Sequence, residues 1–177
     1  MDTFCYKELS ISNYQTIVSE FENNISYTSF ENNFAYLDIK STLEKTPSLN
    51  KWLADNRCVL SKAAIIVSTI RSSIGAPHID SQVNSLALNF PLSNCEYSYT
   101  AFYDPADIDR IIDEEKPNGV LYKKIIFKTA PREISRYVLD RPILLNTHVP
   151  HKIFHGHEKS RYAISFRFVD DPWHLVA

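Results

Sequence analysis

Two stretches of this chain hold residues that could do chemistry together. The first is "GAPHIDSQ", residues 75–82, where His78 and Asp80 stand two apart behind Gly-Ala-Pro. In extended backbone, side chains at i and i+2 share a face. His78 and Asp80 can then meet one ion while Ile79 turns into the opposite layer. Two imidazoles and one carboxylate on one face of an octahedron suit Fe(II) and leave positions open for substrates. The second stretch is the tail, "NTHVPHKIFHGHEKSRYAISFRF", which offers His148, His151, His155 and His157 for the missing imidazole. Taken alone, an H-x-D is more often a polar loop than half a metal site.

These residues need a frame. "CVLSKAAIIVSTI", "SLALNFPL", "EYSYTAFY", "VLYKKIIFK", "RPILLNT", "HKIFH" and "RYAISFRF" read as short strands separated by turn signals. In the last of them Tyr162, Ile164, Phe166 and Phe168 share one face, and Arg161, Ala163, Ser165 and Arg167 the other. The first face must pack on something apolar; the second can line a polar interior that holds an anion. A helix is expected over residues 39–55, with Thr46-Pro47 as N-cap and first helical position. Residues 1–36 read as strand and loop, "ADIDRIIDEEKPNG" as a helical excursion, and "APREISRYVLD" as a short helix. Gly75 is expected to let the backbone turn and present His78 and Asp80. The expected architecture is one domain, 1–177, mainly β with flanking helices. Elements of 1–56 pack on a jelly-roll core over 57–170, and the core forms a barrel.

Composition narrows the function. With 177 residues, 44% apolar and 23% charged, the chain can bury a core. A net charge of −2 argues against a dedicated duplex nucleic-acid or anionic-membrane binder. Charge is uneven: residues 1–38 carry six acids against Lys7, and residues 119–161 carry nine Lys or Arg against three acids. Cys5, Cys58 and Cys95 are odd in number and far apart, so they make no disulfide framework. The N-terminus lacks an apolar segment behind a basic start, and no apolar run approaches ~18 residues. A cytoplasmic, soluble protein is expected.

Order and spacing across residues 57–170 resemble the Fe(II)/2-oxoglutarate-dependent dioxygenases, whose double-stranded β-helix carries H-x-D, a distal His, then an Arg about ten residues later. "IVSTIRSSIGAPHID" is similar to the opening of that core, and "VPHKIFHGHEKSRYAISFRF" to its ending. His151 lies ten residues before Arg161, and Ser165 follows. The resemblance implies that His78, Asp80 and His151 bind Fe(II). Arg161 would anchor the far carboxylate of 2-oxoglutarate bidentately, helped by Ser165, and Asn89 or Tyr103 would meet the near end. With O2, such an enzyme releases succinate and CO2 and hydroxylates an unactivated C–H. The primary substrate and oligomeric state are left open.

The chain departs from the pattern at "FHGHEK", where two further histidines compete with His151. "HGHE" is similar to a cupin HxH, and a cupin-like enzyme would use His155 and His157 in place of Arg161. The Glu and glycines of that pattern are missing. "HKIFH" lacks the Glu of a zinc protease. The alternative class is a non-catalytic jelly-roll binding module, with or without a structural metal.

Overall fold

The computed structural model describes residues 4–27, 34–69, 76–115 and 121–176. Gly75 and the Pro117-Asn118-Gly119 end of the expected helical excursion lie outside them.

Among the described residues twelve strands form: β1 (Tyr6–Glu8), β2 (Phe34–Leu37), β3 (Leu60–Ser68), β4 (His78–Asp80), β5 (Leu86–Ser93), β6 (Ser98–Tyr103), β7 (Ile108–Glu115), β8 (Leu121–Phe127), β9 (Glu133–Tyr137), β10 (Ile143–Asn146), β11 (His151–His155) and β12 (Arg161–Phe168). They make two antiparallel six-stranded sheets, in the orders β1-β10-β5-β12-β3-β2 and β7-β8-β4-β11-β6-β9. The strands from β3 to β6 alternate between the sheets, and so do those from β9 to β12. That alternation is the jelly-roll winding. The β7–β8 hairpin is inserted between the two runs and extends the second sheet beyond β4. The expected barrel does not close. The two sheets face each other as separate layers and keep free edges among the described residues.

Period-two alternation in β12 sorts its side chains as the sequence predicts. Ile164, Phe166 and Phe168 are fully buried on the outer face, with Tyr162 packed against the same cluster. Three helices cover that face: α1 (Tyr14–Asn24), α2 (Ile39–Lys45) and α3 (Pro47–Asp55). From α1, Phe21 stacks on Phe166 at 5.9 Å and meets Phe90 edge-on at 6.1 Å. Burying each such ring contributes about 1.5–3 kcal/mol. The other face of β12 looks between the sheets.

Four local expectations change. Residues 14–24 are helical because Ile17 and Phe21 fall four apart on one buried face. The 39–55 helix breaks at Thr46, where Pro47 starts α3; the Thr46 hydroxyl donates back to the Thr42 carbonyl at 2.7 Å rather than capping α3. "IDRIIDEE" is strand β7, whose Ile111 lies opposite Ile125 and Asp113 opposite Lys123. "EISRY" is strand β9, with Tyr137 buried against β6. No helix of the described residues is long and apolar enough to cross a membrane.

Candidate metal centre and anion pocket

β4 has three residues, yet it is pinned on both sides. Its His78 lies opposite His151 of β11 and Lys124 of β8. The Asp80 amide donates to the Thr147 carbonyl at 3.1 Å, and the Ile125 amide to the Pro77 carbonyl at 3.0 Å. This pairing brings the His78 and His151 rings to 4.7 Å between centroids. Ligand atoms of His78, Asp80 and His151 all lie within 4.8 Å of one another, and His78 Nε2 is 3.7 Å from Asp80 Oδ1.

Hydrogen bonds fix what each residue offers. A carbonyl only accepts, so His151 Nδ1 donates its proton to the Val149 carbonyl at 2.9 Å. The Nε2 lone pair is left for a metal. Burial lowers the His151 pKa, outweighing the upward pull of Asp80 and the Val149 carbonyl, with Arg167 adding to the lowering. His151 is thus a neutral imidazole near pH 7. Burial pushes the Asp80 carboxyl up, but the charge and hydrogen bond of Arg167 hold it below the ordinary carboxylate value. Arg167 Nη2 donates to Asp80 Oδ2, and Arg167 Nη1 to the Thr147 hydroxyl at 2.8 Å. With Oδ2 engaged, Oδ1 is the oxygen turned toward His78. The donor set therefore fits a Fe(II)-type ion: two imidazole nitrogens and one anionic oxygen.

A cavity of about 390 Å³ runs between the sheets from this cluster. Phe34, Tyr36 and Tyr122 are among its wall residues, as are Arg161, Ser165, Asn89 and Tyr137. Arg161 is only 2% exposed. Its Nη1 reaches Ser68 Oγ at 3.4 Å, while its Nε–H has no partner among the described residues; neither has Asn89 Oδ1. No ion pair of Arg161 is seen among those residues. A buried permanent cation without a counter-charge is costly, and an incoming carboxylate would relieve that cost.

The structure brings His78, Asp80 and His151 together and places Arg161, Ser165 and Asn89 in the same cavity wall. Asn89 lies opposite Ser165 in register. Tyr103 is not in the wall; its ring packs on Phe127 at 5.7 Å. The rival histidines are engaged elsewhere. His148 Nε2 meets the Gln82 carbonyl, His155 Nε2 the Lys159 carbonyl, and His157 stacks on Tyr97 at 4.1 Å. Sequence reasoning gave no role to Arg167, Thr147 or Tyr137. The alternation of β12 already put Arg167 on the polar face, which was the available signal.

No protein-family model matches the chain, and no curated protein matches it by sequence. Among solved structures it is similar to the non-heme alpha ketoglutarate dependent epimerase SnoN from nogalamycin biosynthesis. That similarity has 11% identity, 93% of this chain, 78% of that one, and a TM-score of 0.48. It is also similar to a prolyl hydroxylase from Trichoplax adhaerens in complex with a hypoxia inducible factor peptide, at 14% identity over 94% and 83% of the two chains, with a TM-score of 0.41. Against E. coli ycfD the identity is 12% and the TM-score 0.43; the match covers 80% of this chain but spans only 36% of that protein's length.

Proposed function

We propose that this chain is an Fe(II)- and 2-oxoglutarate-dependent oxygenase that hydroxylates an unactivated C–H of its substrate. One observation carries the reading. A His-Asp-His cluster and a buried arginine without a counter-charge line the same cavity. The metal, with O2 and 2-oxoglutarate, supplies oxidative decarboxylation to succinate and CO2 coupled to hydroxylation. His78, Asp80 and His151 hold the ion. Arg167 keeps Asp80 ionised and engages one of its two oxygens. Arg161 donates to the far carboxylate in a planar, two-pronged contact that lysine could not copy, with Ser165 on the same strand face. Phe34, Tyr36 and Tyr122 line the cavity as well, and the substrate would sit against them.

The test is succinate formation from 2-oxoglutarate by protein loaded with iron anaerobically and then exposed to O2, without added substrate. Uncoupled turnover above the metal-free control is expected, and its loss in Asp80→Ala. Equal succinate with and without iron would overturn the proposal. One observation favours a second reading, a non-catalytic jelly-roll module: Arg167 already satisfies Asp80 without a metal. That reading predicts no iron-dependent turnover at all.

A further inference from the structure

The inner face of the first sheet changes character along β3. Ser68 lies opposite Arg161, and Ile66, Ala64 and Lys62 follow it on the same face. β2 pairs on the other side of β3 and sets Phe34 opposite Ile66 and Tyr36 opposite Ala64. Both rings line the cavity, and they meet edge to face at 4.8 Å. On the second sheet, Tyr122 lies opposite Asp80 and meets the His78 ring edge-on at 5.8 Å. The Tyr122 hydroxyl donates to Glu114, whose other oxygen accepts from Lys124 at 3.0 Å. Tyr122 is thereby a fixed ring in the cavity wall beside the metal ligands. Tyr36 and Leu121, one from each sheet, line the cavity yet are each 58% exposed. Apolar surface left bare on both walls of a cleft is surface for a ligand.

Charge in the cavity is one-sided. Asp80 is the only acid among the described wall residues, and Arg167 engages it. Lys152 holds its ammonium over the Phe154 ring, 4.6 Å from the centroid. Lys62 makes no ion pair among the described residues; its ammonium donates to the neutral Gln82 Oε1 at 2.6 Å. Lys62 stands two residues from Ala64 on one strand face, which makes it the diagonal neighbour of Tyr36. An aromatic slot thus carries one cation without a counter-charge at the end of β3 away from Arg161.

The geometry points to an arene carboxylate as the primary substrate. Its ring lies between Phe34 and Tyr36 on one wall and Tyr122 on the other, and Lys62 takes its carboxylate. This inference rests on the oxygenase reading and names the substrate class for that same cavity. Flat rings suit the slot because aromatic pairs gain from edge-to-face and offset contacts beyond the area they bury. A lone ammonium is a compact point charge and suits a monoanion. Lys62 and Tyr36 are therefore the specificity-determining residues, one for charge and one for shape.

The probes are 3-phenylpropionate, indole-3-acetate, 3-phenylpropanamide and 3-cyclohexylpropionate. Each is titrated anaerobically, by calorimetry, into protein carrying Fe(II) and 2-oxoglutarate and into the protein alone. The two aryl carboxylates should bind more tightly than the amide and the saturated ring. Lys62→Gln should weaken the aryl carboxylates about three- to tenfold, the loss expected for one partly exposed charge contact, and leave the amide unchanged. Tyr36→Ala, at an exposed position, should weaken acid and amide alike with Fe(II) affinity unchanged. Equal affinity for acid and amide, or for arene and saturated ring, would overturn the inference. So would a carboxylate preference that survives Lys62→Gln. Turnover of 2-oxoglutarate by protein that binds no aryl carboxylate would overturn the inference and leave the oxygenase reading standing. Selective binding of the aryl carboxylates by protein that takes up no iron would overturn the oxygenase reading and uphold the slot.

Discussion

Removing Arg167 tests how the centre is held before any metal arrives. Its guanidinium joins Asp80 of the second sheet to β12 of the first, and Thr147 braces it from the side. The two charged side chains are 15% and 25% exposed. Breaking a buried ion pair by deleting one partner costs about 3–5 kcal/mol, and this partial exposure reduces that to about 2–3 kcal/mol. For a chain of this size that is a fall of about 4–12 °C in Tm. Arg167→Met, Asp80→Asn and the double variant, unfolded in urea with chelator present, should close a cycle with a coupling above about 1 kcal/mol. The coupling should also depend on pH. Asp80 has a lowered folded-state pKa, so its stabilisation is present above the ordinary carboxylate value and is lost as pH falls through the folded value. The deficit of Arg167→Met relative to the unaltered protein should therefore be largest near neutral pH and shrink toward strong acid. Additive single effects, or a deficit that grows in acid, would refute the picture of Arg167 as the partner that keeps Asp80 ionised.

Further outcomes follow from the same geometry. His151→Ala should abolish high-affinity Fe(II) binding, whereas His155→Ala and His157→Ala should retain it; equal losses in a metal titration would mean the wrong tail histidine was chosen. Phe166→Ala, which empties the contact between β12 and α1, should cost about 3–5 kcal/mol by denaturant unfolding. Asp171 accepts from the Ser85 amide and hydroxyl and from the Leu86 amide. Asp171→Ala should cost about 2–3 kcal/mol and leave Fe(II) affinity unchanged.

The readable parts of the sequence were those where one periodicity governs a whole element. β12 shows this best: its alternation alone put Phe166 on a face that must pack on something apolar and Arg161, Ser165 and Arg167 on a face that can line a polar interior. The His78-x-Asp80 pair was legible for the same reason, since two residues of one strand face must converge. Helix α1 was missed because its buried face rests on Ile17 and Phe21 alone, among Asn, Ser and Glu that carry little pattern. β7 and β9 were misread because local composition was read in place of pairing. Their partners, β8 and β6, supply the hydrogen bonds and cross-strand contacts that decide the conformation. Contacts between distant strands were beyond any spacing rule. Nothing local connects Arg167 to Asp80; the pair meets only because successive strands of the jelly roll alternate between facing sheets.

The central claim is that one cavity binds a metal and an anionic keto acid together. Anaerobic calorimetry of 2-oxoglutarate into the protein, with and without one equivalent of Fe(II), tests it most directly. One-to-one binding that requires iron is expected, weakened severely by Arg161→Ala while the protein still takes up iron. Binding of equal strength without iron, or none with it, would contradict the account.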